Sequence, residues 1–430
     1  MSKEDRHIIV FEHQRLRYDQ GDQRISKELY EALERFHGTG TPFFKLIYNG
    51  VQFNEYVGVL QVGGSLIEVL PKTDNQPGTQ AEKKRWRSIL IDMMRAVGGF
   101  DIQATSEANL RIKPNTILDL YFDLFIREIA YLQHTGLAKQ YRKTEGNSTA
   151  LKGSLQFARN IQQNLIHQER FYVRHTVYDV EHQLHMILYK TLRLLSQINT
   201  VAEMHSRIGS MLLSFPEMPD IKVSEALFEK LTFNRKTQRY KKAIEIAKLL
   251  LLNYHPDVQK GRNNVLALMF DMNVLWEQFL YVSLRGLREE GVSIFQQWPK
   301  KFWKPEKGRH SRLEPDIWIH QEGGNIILDT KWKNLNGKNP SPEDLRQMYA
   351  YFDYFGATKA ALVYPGETSS ETSGLFYSPI TDEMTKKSCS VVLLAVPKKS
   401  ESNLTLVRHW QKQIIDQFRP WLKALPKPEN

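Results

Sequence analysis

Asp316, Asp329 and Lys331 have the residue types and spacing for hydrolytic chemistry. They lie in the run RLEPDIWIHQEGGNIILDTKWK, Arg312 to Lys333. Leu313 to His320 reads as a short strand. Glu322-Gly323-Gly324-Asn325 reads as a turn, since adjacent glycines supply the positive φ that a tight reversal needs. Ile326, Ile327 and Leu328 open a second strand that ends in Asp329-Thr330-Lys331. Residues two apart on a strand share a face, so Asp329 and Lys331 project together. A hairpin register brings Asp316 across to them. Two carboxylates and an ammonium at a strand end can hold a hard divalent cation and a nucleophilic water.

Two flanking segments add chemistry. Upstream, Glu277 sits in the apolar helical segment FDMNVLWE, where it can supply a third acidic ligand. Downstream, Gln347 and Tyr351 in LRQMYAYFDYF stand at i and i+4, on one face of one helix. The pattern Pro-Asp, twelve residues, Asp-x-Lys resembles the PD-(D/E)xK nuclease signature. A solvated hairpin with surface charges can carry the same letters, but the order helix Glu, PD, DxK, QxxxY is specific. Just before the hairpin, Trp298 to Arg312 reads WPKKFWKPEKGRHSR. Lys300, Lys301, Lys304, Arg309 and Arg312, interleaved with aromatics including Trp303, can contact phosphates and stack on bases. The alternative is a mobile basic loop whose aromatics only anchor it.

Composition sets the frame for that site. The 430 residues suffice for two or three domains, and net charge +11 favours a polyanionic partner. The single cysteine, Cys389, excludes an intramolecular disulfide and a cysteine zinc site. The start MSKEDRHIIVFEHQR has no apolar signal region, and no run reaches the length of a membrane span. A cytoplasmic protein without membrane contact is expected. No G-x-x-x-x-G-K-[ST] occurs, so no nucleotide motor is expected in this chain.

The elements that must position these residues are read as an α+β multidomain chain. Residues 1–78 are expected to form a β-rich module. Its signals are the strand Ile8 to Phe11, a helix capped by Ser26, a hairpin turning at Asn49-Gly50, and a second turning at Gly63-Gly64. A linker with Pro77 and Gly78 follows. Residues 79–262 read as mainly helical, at about 81–97, 115–136, 181–199, 200–214 and 237–253, with an exposed loop or arm over Lys139 to Phe157. His182 and His185 lie three apart in an apolar helical pattern, and a structural role is expected for both. After a boundary at Pro256 to Asn264, residues 263–430 are expected to form an α/β core of restriction-endonuclease type. It would have a helix over about 264–288, a helix starting at Ser341-Pro342, strands near 292–298, 360–364 and 390–396, and a helix over about 403–420. The tail PKPEN reads as disordered.

Taken together, these residues resemble the McrC-like nuclease subunits of two-component restriction systems directed at modified cytosine. MNVLWE is similar to the family's helix motif, with Val274 where a basic residue is expected. LEPDIWI, ILDTKWK, and LRQMYAYFDYF followed by ALVYP match closely. YVGVLQVGGSLIEVLPK resembles the β-rich module whose strands end in a Pro-Lys, here Pro71-Lys72. LKGSLQF and VRHTVYDVEHQLHMILYKTL resemble the central segment.

The resemblance implies a Mg²⁺-dependent endodeoxyribonuclease with one or two ions, for which Mn²⁺ can substitute. The ions would be held by Asp316, Asp329 and Glu277, with Lys331 catalytic and Gln347 and Tyr351 supporting. It implies double-stranded DNA as substrate, a McrB-like AAA+ GTPase ring as partner, and self-dimerisation for double-strand cleavage. The N-terminal half would stimulate the ring and the C-terminal half would cut; the fragment from about 262 onward, with its own sheet and flanking helices, is expected to fold by itself. Two rivals differ in class: a nuclease-inactive activator of such a ring, and a stand-alone PD-(D/E)xK repair nuclease.

Overall fold

The computed structural model describes residues 7–21, 23–72, 79–97, 116–199, 201–255, 264–287, 292–321, 323–378, 380–398 and 406–423. Pro77 and Gly78 of the expected linker lie outside these residues, as do Glu322, the tail PKPEN and all of the Pro256–Asn264 boundary except Asn264. The chain is a mixed α+β protein whose packing forms two compact units. One unites residues 1–60, 65–109 and 269–430, and the other holds 61–64 and 110–268. The N-terminal strands and the C-terminal sheet therefore share one unit. Among the described residues no helix is long and apolar enough to cross a membrane.

In the first unit, His7–Phe11 pairs in parallel with Ser65–Leu70, His7 opposite Leu66 and Phe11 opposite Leu70. A separate small sheet joins Arg15–Arg17, Gly50–Phe53 and Phe44–Ile47. Ile47 pairs with Gly50, so the two-residue loop is Tyr48-Asn49 and not Asn49-Gly50. Asn49 takes the left-handed conformation, φ 55°. Gly50 already lies in the strand, where a Cβ would come within 2.1 Å of the Leu16 carbonyl oxygen. The glycine is required by close approach, not by the turn. Ser26 caps the helix Lys27–His37, its hydroxyl accepting from Leu29 N at 3.2 Å.

The C-terminal part of this unit is a six-stranded sheet. Its order is Val292–Gln296, Ile317–Gln321, Gly324–Thr330, Ala357–Gly366, Met384–Ala395, Ser370–Tyr377. Ile317–Gln321 and Gly324–Thr330 run antiparallel; Gln321 pairs with Gly324, so Gly324 and Asn325 of the expected turn already lie in the second strand. Gly324–Thr330 and Ala357–Gly366 run parallel, which requires a crossover, and the helix Pro342–Tyr354 supplies it. Ser341 caps that helix, accepting from Asp344 N at 3.1 Å, with Pro342 at its first position. Ile327 buries against Met348, Tyr351, Leu362 and Tyr364. Alternation puts Asp329 and Lys331 on the same side as Ile327, and Thr330 and Trp332 on the other.

The helix expected over 264–288 is a correction. Val265–Asp271 is a strand, and the helix proper is Met272–Leu284, started by Asp271 accepting from Asn273 N at 2.8 Å. The run VLALMF is apolar throughout, and a short apolar run carries no period that separates strand from helix. Trp276 of this helix stacks on Trp410 of Leu406–Lys423, ring centroids 5.2 Å apart.

The second unit contains the helices Ile117–His134, Gln183–Ile198, Ala202–Ser214 and Lys241–Leu252. The passage over Lys139 to Phe157, expected as an exposed loop or arm, contains the strands Gln140–Ser148 and Ser154–Leu155. Gln140–Ser148 pairs antiparallel with Phe171–Asp179 along its whole length. One face of the ribbon is half-buried, but its residues there are polar, so it lacks the hydrophobic alternation that marks a half-buried strand. His182 and His185 are buried, hydrogen-bonded to the Ala138 carbonyl and the Tyr240 hydroxyl at 2.9 Å each. Burial pushes the His185 imidazole down to about 4 and lowers that of His182 as well, so both serve as neutral core histidines.

Candidate active site

The sheet brings Asp316, Asp329 and Lys331 together as the hairpin register requires. Asp316 immediately precedes Ile317–Gln321, and Ile317 pairs with Leu328. Its Oδ2 accepts from Thr330 N at 2.6 Å and from Thr330 Oγ1 at 2.8 Å. Lys331 stays in register with the next strand through its N–H to the Val363 carbonyl at 3.0 Å. Its ammonium lies 2.6 Å from Asp329 Oδ2. Asp329 is 1% exposed, and its Oδ1 is buried without a hydrogen-bond partner.

Such a cluster is electrostatically loaded. Burial, then the charge of Asp316, push the Asp329 carboxyl up to about 7, against the pull of Lys331. Burial raises Asp316 as well, with the Thr330 hydrogen bonds and Lys331 opposing. Glu277 is pushed up to about 7 by burial and then by Asp316, which places its carboxyl within the field of the pair. Burial works against the Lys331 ammonium, yet Asp329, Asp316 and Asp344 hold its pKa above the ordinary lysine range. The Lys331 ammonium thus faces Asp329 and Asp316 together, while Asp344 is paired with Lys333.

Glu277 is held by other groups. Gln296 Nε2 donates to its Oε1 at 3.0 Å, and the Gln297 side chain bonds it too. Among the described residues no group of three or more His, Cys, Asp or Glu is disposed to hold a metal ion. Glu277 therefore does not close with Asp316 and Asp329 into a three-carboxylate cage. The donor set still suits Mg²⁺, which keeps several waters and needs only one or two carboxylates, and the unpartnered Asp329 Oδ1 is an oxygen of the kind it takes.

Gln347 and Tyr351 do meet. Gln347 Nε2 donates to the Tyr351 hydroxyl at 2.8 Å, and that hydroxyl donates to the Glu314 carbonyl at 2.9 Å. The pair braces the backbone two residues ahead of Asp316. Burial lifts the Tyr351 phenol to about 12, so it stays a donor at neutral pH.

The basic run before the hairpin contains a two-stranded ribbon, Lys300–Trp303 with Ser311–Leu313, whose connection carries Lys304 and Arg309. Lys300 is an anchor: Nζ donates to the Tyr354 carbonyl at 3.1 Å and lies 4.7 Å from the Phe355 ring centroid. Lys301, Lys304, Arg309 and Arg312 are exposed, and Trp303 is 60% exposed. Arg312 Nε bonds His310 at 3.2 Å.

Several residues of the site escape a reading of the sequence. Gln297, whose side chain bonds Glu277, adopts φ 49°, strained for a non-glycine residue. Asp344 Oδ2 accepts from Lys333 Nζ at 2.6 Å and from the Tyr364 hydroxyl at 3.4 Å. Lys333 continues the alternation of Asp329 and Lys331, a signal present in DTKWK. Asp344 resembles any acidic residue in the first turn of a helix, so nothing marked it.

Residues 51–365 match the family described as McrBC 5-methylcytosine restriction system component. The chain is 21% identical over 303 residues to the type IV methyl-directed restriction enzyme EcoKMcrBC of Escherichia coli K12, covering 66% of this chain and 83% of that one. Its fold is similar, at a TM-score of 0.66 and 19% identity, to a chain of the half-complex from the tetradecameric assembly of Thermococcus gammatolerans McrB AAA+ hexamers with bound McrC. That match covers 96% of this chain and 100% of the other. A chain of the McrBC complex of the same organism matches at 22% identity and a TM-score of 0.49, covering 66% and 88%. This chain belongs to the family of McrBC 5-methylcytosine restriction system components, as a McrC-like member.

Proposed function

We propose that this chain is the Mg²⁺-dependent DNA-cutting subunit of a two-component system. A McrB-like AAA+ GTPase ring would recognise modified DNA, translocate it, and be stimulated by this chain. The observation that carries the reading is the meeting of Asp316, Asp329 and Lys331 at one strand end, with Asp329 Oδ1 buried and unpartnered. A PD-(D/E)xK core is the reading of the six-stranded sheet that accommodates this trio. A chain that acted only as an activator of the ring would gain nothing from crowding carboxylates whose ionisation is resisted by burial.

Asp316 and Asp329 would hold Mg²⁺, and a bound Mg²⁺ supplies charge neutralisation at the scissile phosphate and acidifies a water. Lys331 orients the attacking water and offsets charge on the phosphorane. The water oxygen forms the new P–O bond, one ester P–O bond breaks, and the leaving oxygen takes up a proton. Glu277, its carboxyl pushed up to about 7, stands at the pKa suited to orient that water and relay its proton. Tyr351 and Gln347 keep the Asp316 segment in place.

The deciding assay mixes the full chain, its ring partner, GTP and Mg²⁺ with modified double-stranded DNA. Cleavage that needs all of them supports the reading, and stimulation of GTP hydrolysis without any cutting would convert it to the activator reading.

The ribbon is the proposed DNA-binding element. Replacing Lys301, Lys304 and Arg309 with Ala should weaken DNA binding and lower the slope of log K against log salt by about 0.9 for each phosphate left unneutralised. A binding titration at several salt concentrations measures this. Lys300→Ala should instead act through stability, since its ammonium is spent on Tyr354 and Phe355.

A further inference from the structure

Trp332 directly follows Lys331, and alternation turns it away from the site. There it is 7% exposed, its ring 5.5 Å from that of Trp276 and 6.3 Å from that of Trp86. Two polar contacts fix it. Its backbone N–H donates to Asn273 Oδ1 at 3.2 Å, and its indole Nε1–H donates to Glu12 Oε1 at 2.8 Å. Asn273 lies one helical turn before Glu277, so the helix that supplies Glu277 also grips the strand end carrying Lys331.

Glu12 is itself tightly placed. It follows the strand His7–Phe11, its N–H donates to the Leu70 carbonyl at 2.9 Å, and its Oε1 also accepts from Lys72 N at 2.7 Å. It is 7% exposed, among the described residues it makes no ion pair, and its Oε2 is buried without a partner. Burial pushes its carboxyl up to about 7. A buried acid without a cation is unfavourable, so charge is a poor reason for its presence. An acceptor placed for two converging N–H groups is a better one. A second contact runs parallel to it: Met272, first in the helix of Asn273 and Glu277, donates its N–H to the Glu55 carbonyl at 3.1 Å.

We propose that Glu12 is a positioning residue, holding the strand end of Asp329 and Lys331 through the Trp332 indole, so that the N-terminal strands set the geometry of the hydrolytic site. The inference rests on the hydrolytic reading of that site. Loss of the indole bond frees Trp332 to turn, and Lys331, one peptide away, drifts from Asp329 Oδ2. Groups that orient a reacting residue from behind are worth about 10–100-fold in activity when removed.

The test uses the full chain with its ring partner and modified DNA, in the variants Trp332→Phe, Glu12→Ala and Glu12→Gln. Trp332→Phe keeps the aromatic packing and deletes only the donor. Glu12→Gln keeps an acceptor oxygen and the side chain's shape. Trp332→Phe and Glu12→Ala are expected to lower kcat for cleavage about 10–100-fold, with KM for DNA and stimulated GTP hydrolysis unchanged, while Glu12→Gln stays close to wild type. Hydrogen exchange across residues 328–333 should rise roughly tenfold in the first two variants and not in Glu12→Gln. Unchanged exchange and kcat in Trp332→Phe and Glu12→Ala would overturn the proposal, as would equal losses in Glu12→Gln and Glu12→Ala. If the wild-type chain cuts nothing, the hydrolytic reading fails, and the exchange measurement still decides whether the clamp exists.

Discussion

Asp329→Asn and Lys331→Ala are each expected to reduce DNA cleavage by roughly 10³-fold or more, since each removes a group that opposes or anchors charge at the reacting phosphate. The two side chains form one unit, 2.6 Å apart and largely shielded from water, so the double variant should be scarcely worse than either single one. Initial cleavage rates on modified DNA, with ring partner and Mg²⁺ saturating, measure the loss. Stimulated GTP hydrolysis is the control and should stay within about twofold of wild type, because the chemistry of cutting is separate from activation of the ring. Cleavage within tenfold of wild type in both variants would remove Asp329 and Lys331 from the active site. Tyr351→Phe should cost much less, about 1–3 kcal/mol, since it deletes the hydroxyl's two hydrogen bonds, to the Glu314 carbonyl and from Gln347, and no group at the reacting phosphate.

The site was legible in the sequence where strand alternation and turn chemistry fixed it. The glycines at 323 and 324 marked the hairpin to within one residue, the period of two set Asp329 beside Lys331, and Ser341-Pro342 marked the crossover helix. What escaped depends on long-range approach. Nothing local to Glu12 signals that its carboxylate ends against Trp332, 320 positions away. Nothing local separates VLALMF as strand from VLALMF as helix either. The same pairing of Glu12 with Trp332 bears on the expected halves. A cut near residue 260 parts Glu12 and Trp86 from Trp332, and would expose a tryptophan that is 7% exposed in the intact chain. Point variants of the whole chain are therefore the sounder way to separate stimulation of the ring from cutting.

The crowding of carboxylates predicts a conflict between activity and stability in metal-free protein. Asp329 and Glu277 are each pushed up to about 7, and Asp316 is raised as well. A carboxyl whose pKa is higher folded than unfolded keeps its proton longer in the folded chain. Between about pH 4, where the unfolded carboxyls ionise, and about pH 7, the unfolded chain binds fewer protons than the folded one. The stabilising contribution of these groups is therefore complete at low pH and is lost as pH rises through that window. Asp329→Asn removes the ionisation and keeps the shape. In EDTA at pH 8 it should be more stable than wild type by on the order of 2 kcal/mol, part of the gain being offset by the stranded Lys331. Glu12 titrates in the same direction but is common to both proteins, so the informative quantity is the difference in Tm between variant and wild type. That difference should grow from pH 5 to pH 8, and added Mg²⁺ should raise the Tm of the wild type while leaving the variant nearly unmoved. Thermal melts across this range measure both effects. A difference that stays constant with pH would mean that Asp329 is already ionised and satisfied without a cation, and the case for a metal at its buried Oδ1 would fall with it.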